Sequence, residues 1–256
     1  MVASIIIVSI MEIIMIKLDN FSSFFIANWK LNGNFKFIDQ FIEELKVPED
    51  DSKCIVICPS SIHLDYISNQ KKNFFVGAQN VSQFNDGAFT GEISTSSLCD
   101  LKINFCIVGH SERRNIFYEK NIDVNSKSLQ LINNEIIPIV CIGETLEEKK
   151  NGKTKKVLEK QLDESIPNSS NESNTIIAYE PVWAIGTGLT PSLKEIDITH
   201  KFIKENNQRF HKFKILYGGS VKADNAKEIL QLSNVDGVLV GGSSLKSGEF
   251  TKIIQD

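Results

Sequence analysis

The stretch Lys214-Ile215-Leu216-Tyr217-Gly218-Gly219-Ser220 is a short, β-rich apolar run that ends in a pair of glycines. The run Gly237-Val238-Leu239-Val240 is likewise followed by a pair, Gly241-Gly242. Six runs of the same kind precede them, separated by about 20 to 40 residues, as expected for strands that alternate with helices. They are residues 24–27, 54–58, 74–77, 105–108, 137–142 and 176–179. The chain therefore carries eight predicted strands.

The stretches between these runs have helical periodicity, as in the spacing of Phe37, Phe41 and Leu45. Strands that alternate with crossover helices predict a parallel sheet. A doubly wound open sheet uses the same alternation, but it would show a GxGxxG turn after its first strand, and this sequence has none there. Eight strand–helix units in about 235 residues match a closed barrel. We predict the α/β class, with a single (β/α)₈ barrel, closed by eight parallel strands, over residues 17–256.

The composition favours one large globular domain. The chain has 256 residues, of which 41% are apolar and 23% are charged, which is enough to bury a sizeable core. Its formal net charge of -4 offers no basic surface for nucleic acid. An anionic substrate would have to be held by local donors against the overall charge.

The cysteines do not suggest disulfides or a metal. Their number, five, is odd, and they form no CxxC motif, which fits a reducing compartment. Cys54, Cys58 and His63 are conceivable metal ligands, but Cys54 and Cys58 lie within one β-like run and lack the spacing of a zinc ribbon. We predict that the protein binds no metal and no organic cofactor.

Residues 1–16 are apolar and have no evident place in a barrel. They are too few to span a bilayer comfortably. A signal peptide would begin with basic residues and end at a small-residue cleavage site, yet the first basic residue is Lys17 and no such site follows. We interpret residues 1–16 as an extension that is either disordered or the product of an over-long start, and we predict no membrane partner.

Polar residues that directly follow barrel strands point into the catalytic mouth of such a fold. Five of the eight runs are followed by distinctive sequences. These are Asn28-Trp29-Lys30-Leu31-Asn32-Gly33, Gly109-His110-Ser111-Glu112-Arg113-Arg114, the segment 180–188, Gly218-Gly219-Ser220 and Gly241-Gly242.

The glycine pairs after the last two strands let backbone N–H groups approach an anion closely, although they could equally serve only as tight turns. Glu180 ends a strand and precedes a largely apolar segment with Trp183 and Ile185. If that segment closed over the carboxylate and excluded water from it, Glu180 would become a stronger base. The alternative is a surface glutamate before an ordinary loop, but an exposed loop seldom carries two such large apolar side chains.

His110 and Lys30 are each ambiguous when considered singly. His110 could be a structural histidine, a metal ligand or an electrophile, and Lys30 could be a rim charge. Taken together, a base, a hydrogen-bond donor, a cation and a phosphate cradle suit proton abstraction next to a carbonyl of a small phosphorylated substrate.

These blocks resemble the triosephosphate isomerase family from about residue 24 to the C-terminus. To the sequences quoted above the resemblance adds Cys141-Ile142-Gly143-Glu144-Thr145, Ala178-Tyr179 before Glu180, and Tyr217 before the first glycine pair. It implies an aldose–ketose isomerase of glycolysis and gluconeogenesis. Such an enzyme interconverts dihydroxyacetone phosphate and D-glyceraldehyde 3-phosphate through an enediolate, without a cofactor.

By this resemblance Glu180 is the base, and His110 polarises the carbonyl as a neutral imidazole, roles already described for this family. Lys30 and Asn28 stabilise charge at the substrate oxygens. Supporting roles fall to Glu112, near the lysine, and to Cys141. The phosphate-binding positions are Gly186, Ser220, Gly241 and Gly242.

The resemblance also implies that residues 181–188 form a closing lid that excludes water. Residues 86–92 resemble the loop that family members insert into a partner subunit, with Thr90 reaching the partner's active site. A homodimer in the cytoplasm is therefore expected. By contrast, the charged run at residues 147–150 is predicted to be only the solvated face of a helix.

Two other functions fit part of the pattern. Another phosphate-binding barrel, such as a sugar-phosphate isomerase or an aldolase, could share the glycine pairs. An aldolase would need a Schiff-base lysine inside the barrel, whereas Lys30 is the only lysine that directly follows a strand run. A catalytically dead barrel used as a binding module would be expected to have lost its reacting groups, yet Glu180, His110 and Lys30 are present.

Overall fold

A computed structural model describes residues 16–70, 73–185 and 189–255. Eight strands lie in these ranges: β1 (Ser23–Asn28), β2 (Lys53–Cys58), β3 (Phe75–Ala78), β4 (Phe105–Val108), β5 (Ile137–Ile142), β6 (Ile176–Tyr179), β7 (Lys214–Tyr217) and β8 (Gly237–Val240). The α-helices are α1 (Phe35–Glu44), α2 (Leu64–Ser68), α3 (Thr95–Asp100), α4 (Ser111–Ile116), α5 (Asn121–Asn133), α6 (Leu146–Lys150), α7 (Thr154–Ser165), α8 (Leu193–Asn206), α9 (Ala226–Leu230) and α10 (Ser247–Gln255). Strands and helices alternate along the chain, as predicted.

The eight strands form a closed barrel in the order in which they occur in the sequence, and every neighbouring pair is parallel. This confirms the predicted (β/α)₈ barrel and excludes the open doubly wound sheet. Closure occurs where β8 pairs with β1, with Phe24 opposite Gly237. A Cβ atom at Gly237, whose φ is +158°, would collide with the backbone of Phe24. Glycine therefore allows the last strand to approach the first.

Alternate residues of each strand face the inside and the outside of the barrel. Phe24 and Ile26 of β1 pack in one buried cluster inside the barrel, whereas Phe25 and Ala27 belong to the cluster between strands and helices. Both kinds of position are apolar because both faces of the sheet are covered. This explains why the strands appear in the sequence as continuous apolar runs.

The N-terminal end of the described chain lies at the bottom of the barrel. Leu18, in a 3₁₀ turn (Leu18–Asn20), is buried inside the barrel together with Phe24 and Ile26. The predicted extension falls on residues 1–15, outside the described residues, and on Ile16. Within the described ranges, no helix is both long enough and apolar enough to cross a membrane.

Candidate active site

A cavity of about 170 Å³ opens at the carboxyl ends of the strands. Its lining includes seven of the predicted site residues, from β1 and the segments that follow β1, β4, β6, β7 and β8: Asn28, Lys30, His110, Glu180, Ser220, Gly241 and Gly242. A larger cavity of about 530 Å³, lined in part by Lys17, Asn104 and Glu135, lies at the opposite end of the barrel. Barrels of this type carry their catalytic groups at the carboxyl ends of the strands, so the smaller cavity is the candidate site.

Lys30 reaches the cavity through an unusual backbone conformation. Its φ is +52°, in the left-handed region that non-glycine residues rarely adopt. The Oδ1 atom of Asn28 accepts a hydrogen bond from the Lys30 N–H at 3.0 Å, and Gln79 donates to the Lys30 carbonyl at 2.9 Å. Such strain costs on the order of 1–3 kcal/mol and persists where the surroundings fix it, commonly at functional sites. Asn28 therefore positions the lysine as well as lining the cavity.

The ammonium group of Lys30 is paired with Glu112. Nζ lies 2.5 Å from Oε1 of Glu112, which is separated from it by 82 residues in the sequence. Glu112 does not line the cavity and is partly exposed, with a side chain that is 42% accessible. Glu112 therefore lies beside the lysine, and its supporting role stays a prediction.

His110 directly precedes α4 and is buried. Its Nδ1 atom accepts a hydrogen bond from the N–H of Glu112 at 3.2 Å. Nδ1 can accept that bond only when it carries no proton, so we place the imidazole proton on Nε2. Nε2 then faces Glu180, with 2.9 Å between Nε2 and Oε1.

Glu180 follows β6 directly and is 1% exposed. Its Oε1 atom faces His110, and its Oε2 atom accepts a hydrogen bond from the N–H of Ser111 at 3.0 Å. The backbone is held as well, because the Glu180 N–H donates to the Ile142 carbonyl at 2.7 Å. Sequence reasoning assigned no role to Ser111, although it stands in the quoted block after β4.

Opposing effects act on the pKa values of this pair. Burial raises the pKa of Glu180, but its contacts with His110 and the Ser111 N–H outweigh burial and hold that pKa below the usual value. For His110, burial lowers the pKa, and the neighbouring Glu180 carboxylate raises it further than burial lowers it. The Glu112 N–H bonded to Nδ1 acts against a second proton on the ring. We therefore regard Glu180 as ionised and His110 as neutral, with its proton directed at the carboxylate.

Cys141 lies inside the barrel, next to Glu180. Burial, and then the charge of Glu180, raise the pKa of its thiol well above the usual value. The thiol therefore stays neutral. Its backbone carbonyl accepts a hydrogen bond from Arg114, which also donates to the Gly109 carbonyl and so ties the ends of β4 and β5 together. Cys141 does not line the cavity, but its thiol lies within hydrogen-bonding reach of the Glu180 carboxylate.

One part of the cavity lining consists of small residues, and Gly241 in this part lies next to the Lys30 side chain. Gly241 and Gly242 follow β8, and Ser220 follows the first glycine pair. The Ser220 hydroxyl donates to the Ala184 carbonyl at 2.6 Å, which links this part to the segment after β6. Lys222, an exposed lysine to which the sequence pattern gave no role, also lines the cavity.

The segment after Glu180 begins with a 3₁₀ turn, Val182–Ala184, and Ile185 reaches the cavity. The indole Nε1 of Trp183 donates to Oε1 of the buried Glu144 at 2.9 Å, so a polar contact joins Trp183 to the barrel. The predicted phosphate-binding residue Gly186 lies outside the described residues, as do positions 187 and 188 of the predicted lid.

Thr90 lies away from the cavity, in an exposed stretch covering residues 84–92. The rings of Phe84 and Phe89 stack in this stretch with 4.2 Å between their centroids, and both are more than 40% exposed.

In the described parts of the chain, no group of three or more His, Cys, Asp or Glu side chains could hold a metal ion. Cys54 and Cys58 are buried free thiols.

Comparison with known proteins gives a consistent result. The sequence model of the family described as triosephosphate isomerase matches residues 23–256. A triosephosphate isomerase of Francisella tularensis subsp. mediasiatica is 46% identical over 238 residues, which cover 89% of this chain and 94% of that protein. One from Buchnera aphidicola subsp. Cinara cedri is 41% identical over 244 residues, which cover 90% of this chain and 96% of that protein.

Proposed function

Because this chain belongs to the triosephosphate isomerase family, we propose that Glu180, His110, Lys30 and Asn28 perform the reaction of that family within the cavity described above. The reaction interconverts dihydroxyacetone phosphate and D-glyceraldehyde 3-phosphate through an enediolate. It is an intramolecular oxidoreduction, in which one carbon of the substrate is oxidised while its neighbour is reduced.

The first step is removal of a proton from C1 of dihydroxyacetone phosphate by Glu180. The electron pair of the broken C–H bond forms a C1–C2 double bond, and the carbonyl oxygen on C2 becomes negative. His110 donates a hydrogen bond from Nε2 to that oxygen, and the ammonium of Lys30 stabilises its charge. Return of the proton from Glu180 to C2, with transfer of the C1 hydroxyl proton to the oxygen on C2, gives the aldehyde.

The two oxygens of Glu180 face His110 and Ser111 in the described arrangement. The carboxylate has to turn away from these groups to reach a substrate carbon. Leaving them removes the contacts that lower its pKa, while burial, which raises its pKa, remains. The same movement that brings the base to the carbon therefore increases its basicity.

The substrate phosphate would lie against the small residues of the cavity lining, namely Ser220, Gly241 and Gly242. Nothing lies within 4 Å of a Cβ atom placed on Gly242, so this part of the cavity has space for a ligand. We include Gly186 in this group from the resemblance of the sequence alone. The cation of Lys222 in the same lining favours an anionic group there.

The observation that carries the proposal is the contact of 2.9 Å between Nε2 of His110 and Oε1 of Glu180. It brings a buried carboxylate and a buried imidazole of the cavity lining to the same point, beside Lys30. A hydrogen-bond donor and a carboxylate that are this close can act on adjacent atoms of one small substrate.

The test is a coupled assay of triose phosphate interconversion with the full chain, its Glu180→Gln variant and a Glu205→Gln control. Glu205 is an exposed residue of α8, so the control removes the same charge far from any role in the site. We expect Glu180→Gln to lower kcat by about 10²- to 10⁴-fold, the usual contribution of a general base, and the control to match the parent. Undiminished turnover in Glu180→Gln would remove Glu180 as the base.

We also propose an oligomeric state, a domain range and a cellular location for the protein. A homodimer is supported by the exposed stacked rings of Phe84 and Phe89 beside Thr90, because large apolar side chains clustered on a surface commonly mark an interface. We propose residues 17–256 as the catalytic domain. All five cysteines are free, which supports a reducing, cytoplasmic location.

A further inference from the structure

The sequence predicts that residues 147–150 are only a solvated helix face, but the structure gives Lys149 two specific contacts. Its ammonium lies 3.6 Å from the centroid of the Trp183 ring. The same atom lies 3.0 Å from Oε1 of Glu195 in α8. Lys149 is half-buried, whereas the next residue of the same helix, Lys150, is exposed. Lys149 therefore joins α6, the turn after β6 and α8.

We propose that Lys149 is a positioning residue for Glu180, acting through Trp183. The proposal rests on the proposed function, in which Glu180 is the base. Trp183 belongs to the turn Val182–Ala184, which follows Glu180 almost directly in the chain. The position of Trp183 therefore restricts where the Glu180 carboxylate can lie.

Trp183 is held from two directions. In the plane of its ring, Nε1 donates to Oε1 of Glu144 at 2.9 Å. On the face of its ring lies the Lys149 ammonium, which the π electrons attract. A hydrogen bond in the plane and a cation on the face together restrict both the rotation and the tilt of the indole.

Glu144, the hydrogen-bond acceptor of Trp183, is itself buried and held by hydrogen bonds. It is 1% exposed, and the hydroxyl of Tyr179 donates to both of its carboxylate oxygens at 3.2 and 3.1 Å. The Glu144 carbonyl accepts from the Val182 N–H at 3.1 Å. The turn is therefore fixed to the end of β5 through both the side chain and the backbone of Glu144.

Glu195 fixes the lysine in turn. Its Oε2 atom accepts hydrogen bonds from the N–H and the hydroxyl of Ser192, each at 2.9 Å, in the capping box at the start of α8. These bonds to Ser192, and then the contact with Lys149, lower the pKa of Glu195 to about 2, so it stays ionised. An exposed ion pair alone stabilises a protein little. Here its effect is to direct the ammonium onto the indole ring.

The kinetic test compares Lys149→Met, Lys149→Arg and Lys150→Met in the full chain. Lys149→Met removes the cation but keeps a long side chain, and we expect kcat to fall about 3- to 30-fold, in line with the strength of a cation–π contact. KM should change less than twofold, because misplacement of the base affects chiefly the transition state. Lys149→Arg should restore kcat, and Lys150→Met, which removes the same charge from the same helix, should match the parent.

A spectroscopic measurement tests the contact without relying on activity. The chain has two tryptophans, so a Trp29→Phe background leaves Trp183 as the sole indole. In that background we expect Lys149→Met to increase acrylamide quenching of Trp183, with Lys149→Arg and Lys150→Met close to the parent. If Lys149→Met does not fold, Glu195→Gln, which releases the ammonium from α8, should produce the same increase and the same loss of kcat.

Unchanged quenching and kcat in Lys149→Met would overturn the proposal, as would an equal loss in Lys150→Met or a change confined to KM. Failure of the proposed function would look different. In that case the parent itself would lack turnover that depends on Glu180, while the quenching of Trp183 would still report whether Lys149 holds the ring.

Discussion

A Cβ atom placed on Gly218 would lie 2.8 Å from Cγ of Glu180. Gly218 follows β7, the strand that neighbours β6, and its N–H donates to the Tyr179 carbonyl at 2.8 Å. The backbone of one strand end therefore forms the wall against which the Glu180 side chain rests. Glycine at this position leaves room for that side chain, in addition to the close approach to an anion that the sequence suggested.

Gly218→Ala is expected to displace the Glu180 side chain, because its Cγ is the nearest atom to the added methyl group. We expect kcat to fall by on the order of 10²-fold, the cost of a misplacement of about 1 Å, with a smaller change in KM. Gly248→Ala, where the added methyl meets nothing within 4 Å, is the control and should match the parent in a steady-state assay. Parent-like kcat in Gly218→Ala would show that Glu180 does not depend on this wall.

Lys30→Ala is expected to lower kcat/KM by about 10²- to 10³-fold, as for loss of one donor that stabilises a developing oxyanion. It also leaves the Glu112 carboxylate without its partner at 2.5 Å, close to where an anionic substrate must bind. The double variant Lys30→Ala/Glu112→Gln should therefore recover part of the affinity. Lys36→Ala, at an exposed residue of α1, controls for the change in net charge. Parent-like kinetics in Lys30→Ala would remove Lys30 from the site.

The pKa of His200 predicts how the free energy of unfolding depends on pH. Burial lowers its pKa to about 3, against about 6.5 in an unfolded chain. The unfolded state therefore binds the extra proton first as the pH falls. The contribution of His200 to the free energy of unfolding is fully present above pH 6.5. As the pH falls from 6.5 toward 3, this contribution decreases by about 1.4 kcal/mol per pH unit.

Between pH 7 and pH 5 this loss amounts to about 2 kcal/mol in the free energy of unfolding. Urea denaturation at both values, with the parent and His200→Leu, measures it. The variant cannot take up that proton. Between pH 7 and pH 5 its free energy of unfolding should therefore fall by about 2 kcal/mol less than that of the parent. Equal pH dependence in the two proteins would mean that His200 titrates normally in the folded state.

Phe89→Asp tests the proposed homodimer, because it places a charge in the exposed aromatic pair next to Thr90. We expect sedimentation velocity to show a dimer for the parent and a monomer for the variant, with reduced activity. Leu146→Asp, the same kind of change at another exposed apolar residue, should remain a dimer. A monomeric parent, or an unaffected Phe89→Asp dimer, would contradict the assignment of this loop to the interface.

The strands could be predicted closely from the sequence. The predicted runs at residues 105–108 and 176–179 coincide with β4 and β6, and the run at 74–77 differs from β3 by a single position. Burial on both faces makes each strand a continuous apolar run, so a local signal sufficed. The contact of Lys149 with Trp183 could not be predicted, because a charged residue in a polar run has the same local pattern whether it meets solvent or an indole ring.

The sequence by itself determined the fold class, the number of strands and which residues follow each strand end. These properties depend on local periodicity and on the rule that parallel strands present their carboxyl ends on one side. Tertiary structure alone decided the contacts of Lys30 with Glu112, and of Glu180 with His110 and the Ser111 N–H. It also decided the direction of the pKa shift of Glu180, because burial and the hydrogen bonds that oppose it exist only once the closed barrel brings distant strand ends together.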